Sequence, residues 1–114
     1  MKSSGTTDLI YLEHMLDCIA RIEEYTELQR NRFFESRLIQ DAVIRNLQVL
    51  AESSQKLSEQ AKSSEPQVPW RAISGFRNIV VHDYLGLDME TIWAVVESEL
   101  PALKAALTRL RQGG

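Results

Sequence analysis

Apolar residues recur along this chain at intervals of three and four, the spacing that puts side chains on one face of a helix. The first such stripe lies between Asp8 and Thr26 and comprises Leu9, Leu12, Met15, Leu16, Ile19 and Ile22. Thr7, just before it, suits an N-cap, because its hydroxyl can accept an unpaired backbone N–H of the first turn. After the polar stretch Glu27 to Arg32, the periodicity resumes from Ser36 to about Ala61 through Ile39, Val43, Leu47, Leu50 and Leu57, with Ser54 in the slot between the last two. Residues Ser58 to Pro69 hold few large apolar groups and two prolines, so the chain is expected to leave the second helix there and cross in a loop. Trp70, Ile73 and Phe76 start a third, short helix after Pro69, running to about His82, and Gly86 breaks it. Asp88 suits the N-cap of a last stripe formed by Met89, Ile92, Trp93, Val96, Leu100, Leu103, Leu107 and Leu110. Pro101 interrupts that stripe and should either kink one long helix or start a new one after Leu100, since it lacks an N–H and crowds the carbonyl four residues back. With no strand-like alternation of useful length and no repeat, the pattern predicts an all-α fold, an antiparallel bundle of four to five helices.

Length and charge narrow the picture. The 114 residues make one domain, 1–114, with its ends, 1–7 and 112–114, expected to be flexible. A quarter of the chain is charged with a net balance of −3, which describes a soluble globular protein and excludes broad, nonspecific coating of nucleic acid. Any nucleic-acid contact must be local. The single cysteine, Cys18, excludes an intrachain disulfide framework. Together with the lack of a charged-then-apolar leader at Met1 to Thr7, it points to a reducing cytoplasm. The longest aliphatic run in the interior, Ile79-Val80-Val81, is far short of a membrane span.

The densest polar cluster inside an apolar stretch is Arg77-Asn78-Ile79-Val80-Val81-His82-Asp83-Tyr84. Arginine supplies a permanent cation with a planar fork of donors suited to phosphate, histidine transfers protons near neutral pH, and tyrosine adds a hydroxyl. Such a set fits phosphoryl chemistry. On a regular helix, however, the five steps from Arg77 to His82 rotate the side chain by roughly 140°, so the two do not share a face. A working site needs either unwinding near His82 or a two-fold dimer that sets the Arg and His of one subunit against those of the other, and we favour the dimer. Residue types alone also allow a plain reading, with Arg77 and Asp83 as surface charges, His82 at a helix C-terminus and Tyr84 packed with a wet hydroxyl.

Other polar residues carry weaker signals. His14 and Cys18 lie four apart, but two ligands without a second pair make a poor zinc site, so a core cysteine and an exposed histidine are expected and no metal. Arg30, Arg32, Arg37 and Arg45 form a local basic excess that either guides RNA or is paired with Glu35 and Asp41. Asn46 and Glu52, if buried, need hydrogen-bond partners such as Arg77 or Arg45.

The pattern R-x-x-x-x-H-x-Y, here Arg77, His82 and Tyr84, resembles the signature of the HepT-like toxins, a branch of the all-helical HEPN ribonuclease superfamily. The blocks around it match in order: Asp41 to Leu47 followed by Glu52, then Pro69-Trp70-Arg71, the motif itself, Trp93, and Leu100-Pro101. One departure is Leu50-Ala51-Glu52-Ser53, where glycine at position 51 and alanine at position 53 would be expected, which bears on helix packing. The resemblance implies a HEPN-like domain and a metal-independent endoribonuclease without a cofactor, acting at a composite homodimer site. It further implies the toxin of a type VII-like toxin–antitoxin module, silenced when a small nucleotidyltransferase antitoxin transfers AMP to Tyr84. Arg77 and His82 are then the catalytic pair. Asn78 supports by orienting either the phosphate or the imidazole, and Asp83 either orients His82 or is a solvated charge. A rival reading keeps the fold but makes the chain a non-catalytic helical partner, or substrate-binding subunit, of a nucleotidyltransferase.

Overall fold

The computed structural model describes residues 2–79 and 89–113, with side chains for 7–78 and 89–113. Among them there is no strand. The helices are α1 (Lys2–Thr26), α2 (Arg30–Glu35), α3 (Arg37–Gln55), α4 (Glu59–Ser63), α5 (Trp70–Ile79), α6 (Met89–Ala94) and α7 (Leu100–Gly113), with a π-helical turn over Val95–Glu99 joining the last two. The all-α architecture is as the periodicity implies. Two one-to-two-turn helices, α2 and α4, fall where the sequence predicts polar connections, so the described segments outnumber the four to five expected.

Helix α1 buries Leu12, Met15, Cys18, Ile19 and Ile22 against α3 and α7, whereas Leu9 stays 42% exposed. It starts upstream of Thr7, which therefore lies within the helix and does not cap it. Its neighbours run antiparallel to it. Asp8, near its start, meets Ser58, just beyond the end of α3; Glu23, near its end, pairs with Lys104 at 3.1 Å, while Glu13 meets Arg111 at 3.4 Å.

The turn out of α1 rests on the buried Thr26. Its hydroxyl donates to the Ile22 carbonyl at 2.9 Å and accepts from the Leu28 N–H at 3.1 Å. Two successive residues, Glu27 at φ 53° and Leu28 at φ 58°, take the left-handed conformation that side chains disfavour. α2 then sinks Phe33 into the core, its ring 5.4 Å from that of Trp93, and the Gln40 amide donates to the Phe33 carbonyl at the end of α2. Phe33 is the buried anchor of α2 and the half-buried Phe34 packs beside it, two adjacent residues that give no periodic signal.

α3 begins as expected, with Ser36 accepting from the Ile39 N–H at 3.1 Å, but stops at Gln55 and not near Ala61. The stop follows from α4: Ser58 caps that helix by accepting from the Ala61 N–H, while the Asp8 carboxylate takes the Ser58 N–H at 2.8 Å and its hydroxyl at 2.6 Å. A contact fifty residues away in sequence thus ends one helix and starts another. α5 follows Pro69, whose carbonyl accepts its first helical bond from Ile73. The Trp70 indole N–H ties the preceding loop down through the Lys62 and Glu65 carbonyls. Gly86 and Asp88, predicted to break one helix and cap the next, lie outside the described residues.

At Pro101 the structure favours one long helical run over a new start after Leu100. The helical run continues through Pro101, preceded by a widened turn in which the Leu100 N–H reaches the Val95 carbonyl, five residues back. Widening the helix just before a proline relieves the clash between its ring and the preceding turn, so no separate start is needed. Ile92, Trp93, Val96, Leu100, Leu103 and Leu107 remain buried across the junction. No described helix is long and apolar enough to cross a membrane.

Two expectations test this account. Leu28 is 63% exposed, so Leu28→Gly removes left-handed strain at little cost in burial and should raise stability by about 1 kcal/mol in urea titrations. Burial, with the Asp17 charge adding to it, pushes the Cys18 thiol up to about 11, leaving about one part in a thousand as thiolate at pH 8. Cys18 should therefore react with Ellman's reagent at pH 8 only as fast as the chain opens, and prompt labelling of the folded protein would contradict its placement.

Candidate active site

The chemistry-bearing segment begins on the last turns of α5. Ile73 and Phe76 are buried, which fixes the rotation of α5 on α3, and the Ser74 and Ser54 hydroxyls meet at 3.4 Å across that packing. One residue past Phe76 the helix has turned by about 100°, which brings Arg77 to the surface. Arg77 and Asn78 are both exposed. His82, Asp83 and Tyr84 lie outside the described residues, so the arrangement of the whole set stays an expectation from sequence.

Arg77 Nη1 donates to Gln55 Oε1 at 3.2 Å. Neither Asn46 nor Glu52 fills that role: Asn46 is half-buried and donates to the Ala42 carbonyl of its own helix at 2.9 Å, and Glu52 is exposed. Gln55 carried no signal in the sequence, because a glutamine at the end of a helix is ordinary until a second helix sets an arginine beside it. Arginine keeps four further N–H donors after this bond, on a side chain that is exposed.

The basic excess around α2 and α3 is mostly paired. Arg30 makes a two-pronged bridge to Glu90 and lies 4.5 Å above the Phe34 ring, so its charge is held at the start of α6 and not by Glu35. The Glu90 hydrogen bond raises the affinity of Arg30 for its proton. Arg32 meets Glu27 at 3.8 Å, a partner not among those expected, and Arg37 meets Asp41 at 3.9 Å, one of the two expected carboxylates. Arg45 meets the neutral Gln48 at 3.5 Å. His14 is exposed and Cys18 buried, in line with a structural cysteine, and the described residues hold no group of three metal-ligating side chains.

A cleft of about 220 Å³ between the loop before α5 and α7 is lined by Val68, Pro69, Ile73, Leu103 and Arg109, without Arg77. It is smaller than typical small-ligand pockets of roughly 300–1,000 Å³. Its rim is tied by Arg109, which grips the Glu65 carboxylate at 2.8 and 3.1 Å and, with Gln67, holds that carboxyl below its usual range. Arg77 by contrast stands on open surface. That setting suits a phosphate on a polymer laid across the protein more than an enclosed small molecule.

The family model described as "Ribonuclease HepT-like" matches residues 15–110. A protein of Thermococcus cleftensis named "Probable ribonuclease HepT" is 34% identical over 103 residues, covering 90% of this chain and 94% of that protein. A protein of Methanocaldococcus jannaschii named "Gamma-glutamylcyclotransferase and putative RNase MJ0434" is 34% identical over 104 residues, 90% of this chain. The chain spans about half of that longer protein, 47% of its length. No solved structure matches the chain significantly.

Proposed function

The chain belongs to the HepT-like ribonuclease family, and from that premise we propose that it is an endoribonuclease toxin whose reaction is centred on Arg77 and His82. The observation that carries the reading is Arg77 itself, an exposed guanidinium at the end of α5, at the motif position where the family resemblance expects the phosphate-binding arginine.

In this reaction the RNA 2′-oxygen attacks the adjacent phosphorus, the bond to the 5′-oxygen breaks, and a cyclic phosphate and a 5′-hydroxyl result. The nucleophile belongs to the substrate, so RNA is cut and DNA is not, and no metal-bound water is called for. The proton lost by the 2′-hydroxyl and the one gained by the leaving oxygen pass through His82. Arg77 holds the non-bridging oxygens as charge builds on them. Asn78 adds an amide to the same surface, and Asp83 sits next to the histidine in sequence. The roughly 140° between Arg77 and His82 on a regular helix favours a homodimer whose two-fold axis pairs the arginine of one subunit with the histidine of the other.

Regulation follows from Tyr84. Transfer of AMP to its hydroxyl by a nucleotidyltransferase antitoxin would add bulk and a negative phosphate beside the catalytic pair, excluding RNA by sterics and by like-charge repulsion. Such a toxin works in the cytoplasm, where both RNA and nucleotide are at hand.

Purified, unmodified protein should cut RNA in EDTA and leave cyclic-phosphate ends. His82→Ala and Arg77→Ala should each lower the rate by about a hundredfold or more while keeping the helical circular dichroism. Unchanged cleavage by His82→Ala would overturn the assignment, and inactivity of the unmodified protein on varied RNAs would favour the non-catalytic partner. Protein quantitatively adenylylated on Tyr84 should be inactive; full activity in that form would remove the switch.

A further inference from the structure

We propose that Gln55 is a positioning residue for the ribonuclease reaction: a neutral clamp that aims the Arg77 guanidinium at the substrate phosphate while leaving its charge unspent. The inference rests on the ribonuclease reading of Arg77.

The hydrogen bond fixes the polarity of the pair. Arginine has donors only, so the amide must present Oε1 to it, at 3.2 Å, and the Gln55 NH₂ group stays available as two further donors. Clamp and guanidinium together form a surface rich in N–H groups, complementary to the oxygens of a phosphodiester.

Both ends of the clamp sit on well-fixed backbone. Gln55 closes α3, where the Ser54 hydroxyl donates to the Ala51 carbonyl at 2.7 Å and the Lys56 N–H reaches the Ser53 carbonyl at 3.0 Å. Arg77 follows Phe76, which is 7% exposed. The hydrogen bond itself joins two exposed side chains, so the backbone fixes where the pair meets and the single bond from Gln55 sets the direction of the guanidinium.

The choice of partner matters electrostatically. Six other arginines meet carboxylates: Arg21, Arg30, Arg32, Arg37, Arg109 and Arg111, while Arg45 meets the amide of Gln48 within its own helix. Such a carboxylate offsets the cation and competes with a phosphate for its donors. The described partner of Arg77 is neutral, so the same geometric hold is achieved without that competition. A purely structural contact would do as well with glutamate, which accepts a charge-assisted and stronger bond.

That difference supplies the test. Gln55→Glu, Gln55→Leu and Arg77→Ala are compared with the unmutated protein, using a fluorescent single-stranded RNA of mixed sequence in EDTA. Cleavage under saturating RNA, RNA affinity against salt, and thermal stability are read for each. Gln55→Glu should keep or raise the melting temperature, yet lower cleavage and RNA affinity by about tenfold or more, with a shallower salt dependence of binding. Gln55→Leu should also lower cleavage, with the fold retained. Wild-type cleavage and affinity in Gln55→Glu would overturn the clamp while leaving the ribonuclease reading intact. Wild-type cleavage in Arg77→Ala would instead defeat that reading and the clamp with it. Should no protein cut this RNA, the affinities decide: equal binding by Gln55→Glu and the unmutated chain overturns the proposal.

Discussion

Burial of one face of α1 is the constraint on which the rest of this molecule depends. Met15, Ile19 and Ile22 are almost fully removed from water, and each such side chain contributes roughly 1.5–3 kcal/mol on transfer. α3 and α7 supply the opposing surface through Val43, Leu47, Leu50, Leu103 and Leu107. Once α3 is fixed by α1, its other flank receives α5 through Ile73 and Phe76, and the turn of α5 then delivers Arg77 to solvent beside Gln55. The candidate site is thus two packing steps removed from the interaction that sets it. Mutations in the α1 stripe should therefore act on chemistry only through the fold.

Polar contacts refine what the apolar core establishes. The Asp8 carboxylate holds Ser58 at the start of α4, and Thr26 closes the end of α1 in a turn where two residues bear left-handed strain. Most of the salt bridges join exposed side chains, and such pairs contribute little individually. Glu65 differs, being largely buried, and its two bonds from Arg109 tie the loop before α5 to α7. These ties set register and direction. The core supplies the free energy.

The long helices were legible because their stripes obey a simple period: Leu12 to Ile22, Val43 to Leu50, and Ile92 to Leu107 all face inward as their spacing implies. Ser54, a polar residue in an apolar slot, is buried and bonded to a carbonyl of its own helix. Legibility failed where structure hangs on one or two residues or one remote contact. α2 depends on Phe33 and its neighbour Phe34, α4 on a serine cap that an aspartate fifty positions away holds in place, and the passage through Pro101 on a widened turn that no local pattern announces. At the site, Arg77 stood out by its residue type and motif spacing. Gln55 did not, since its meaning lies entirely in what another helix brings near it.

The sequence by itself determined the helical class, the inward faces of the main helices and the residues whose chemistry suits a phosphate, because each is a property of residue type and near-neighbour spacing. Spacing within a helix already pairs Arg21 with Asp17 and Arg37 with Asp41, but tertiary structure alone decided the long-range partners: Arg30 went to Glu90, sixty residues on, and Arg77 to a neutral amide. Long-range pairing depends on distances across helices, and those are set by how the apolar faces interlock, information that is spread over the whole chain and present in no single stretch of it.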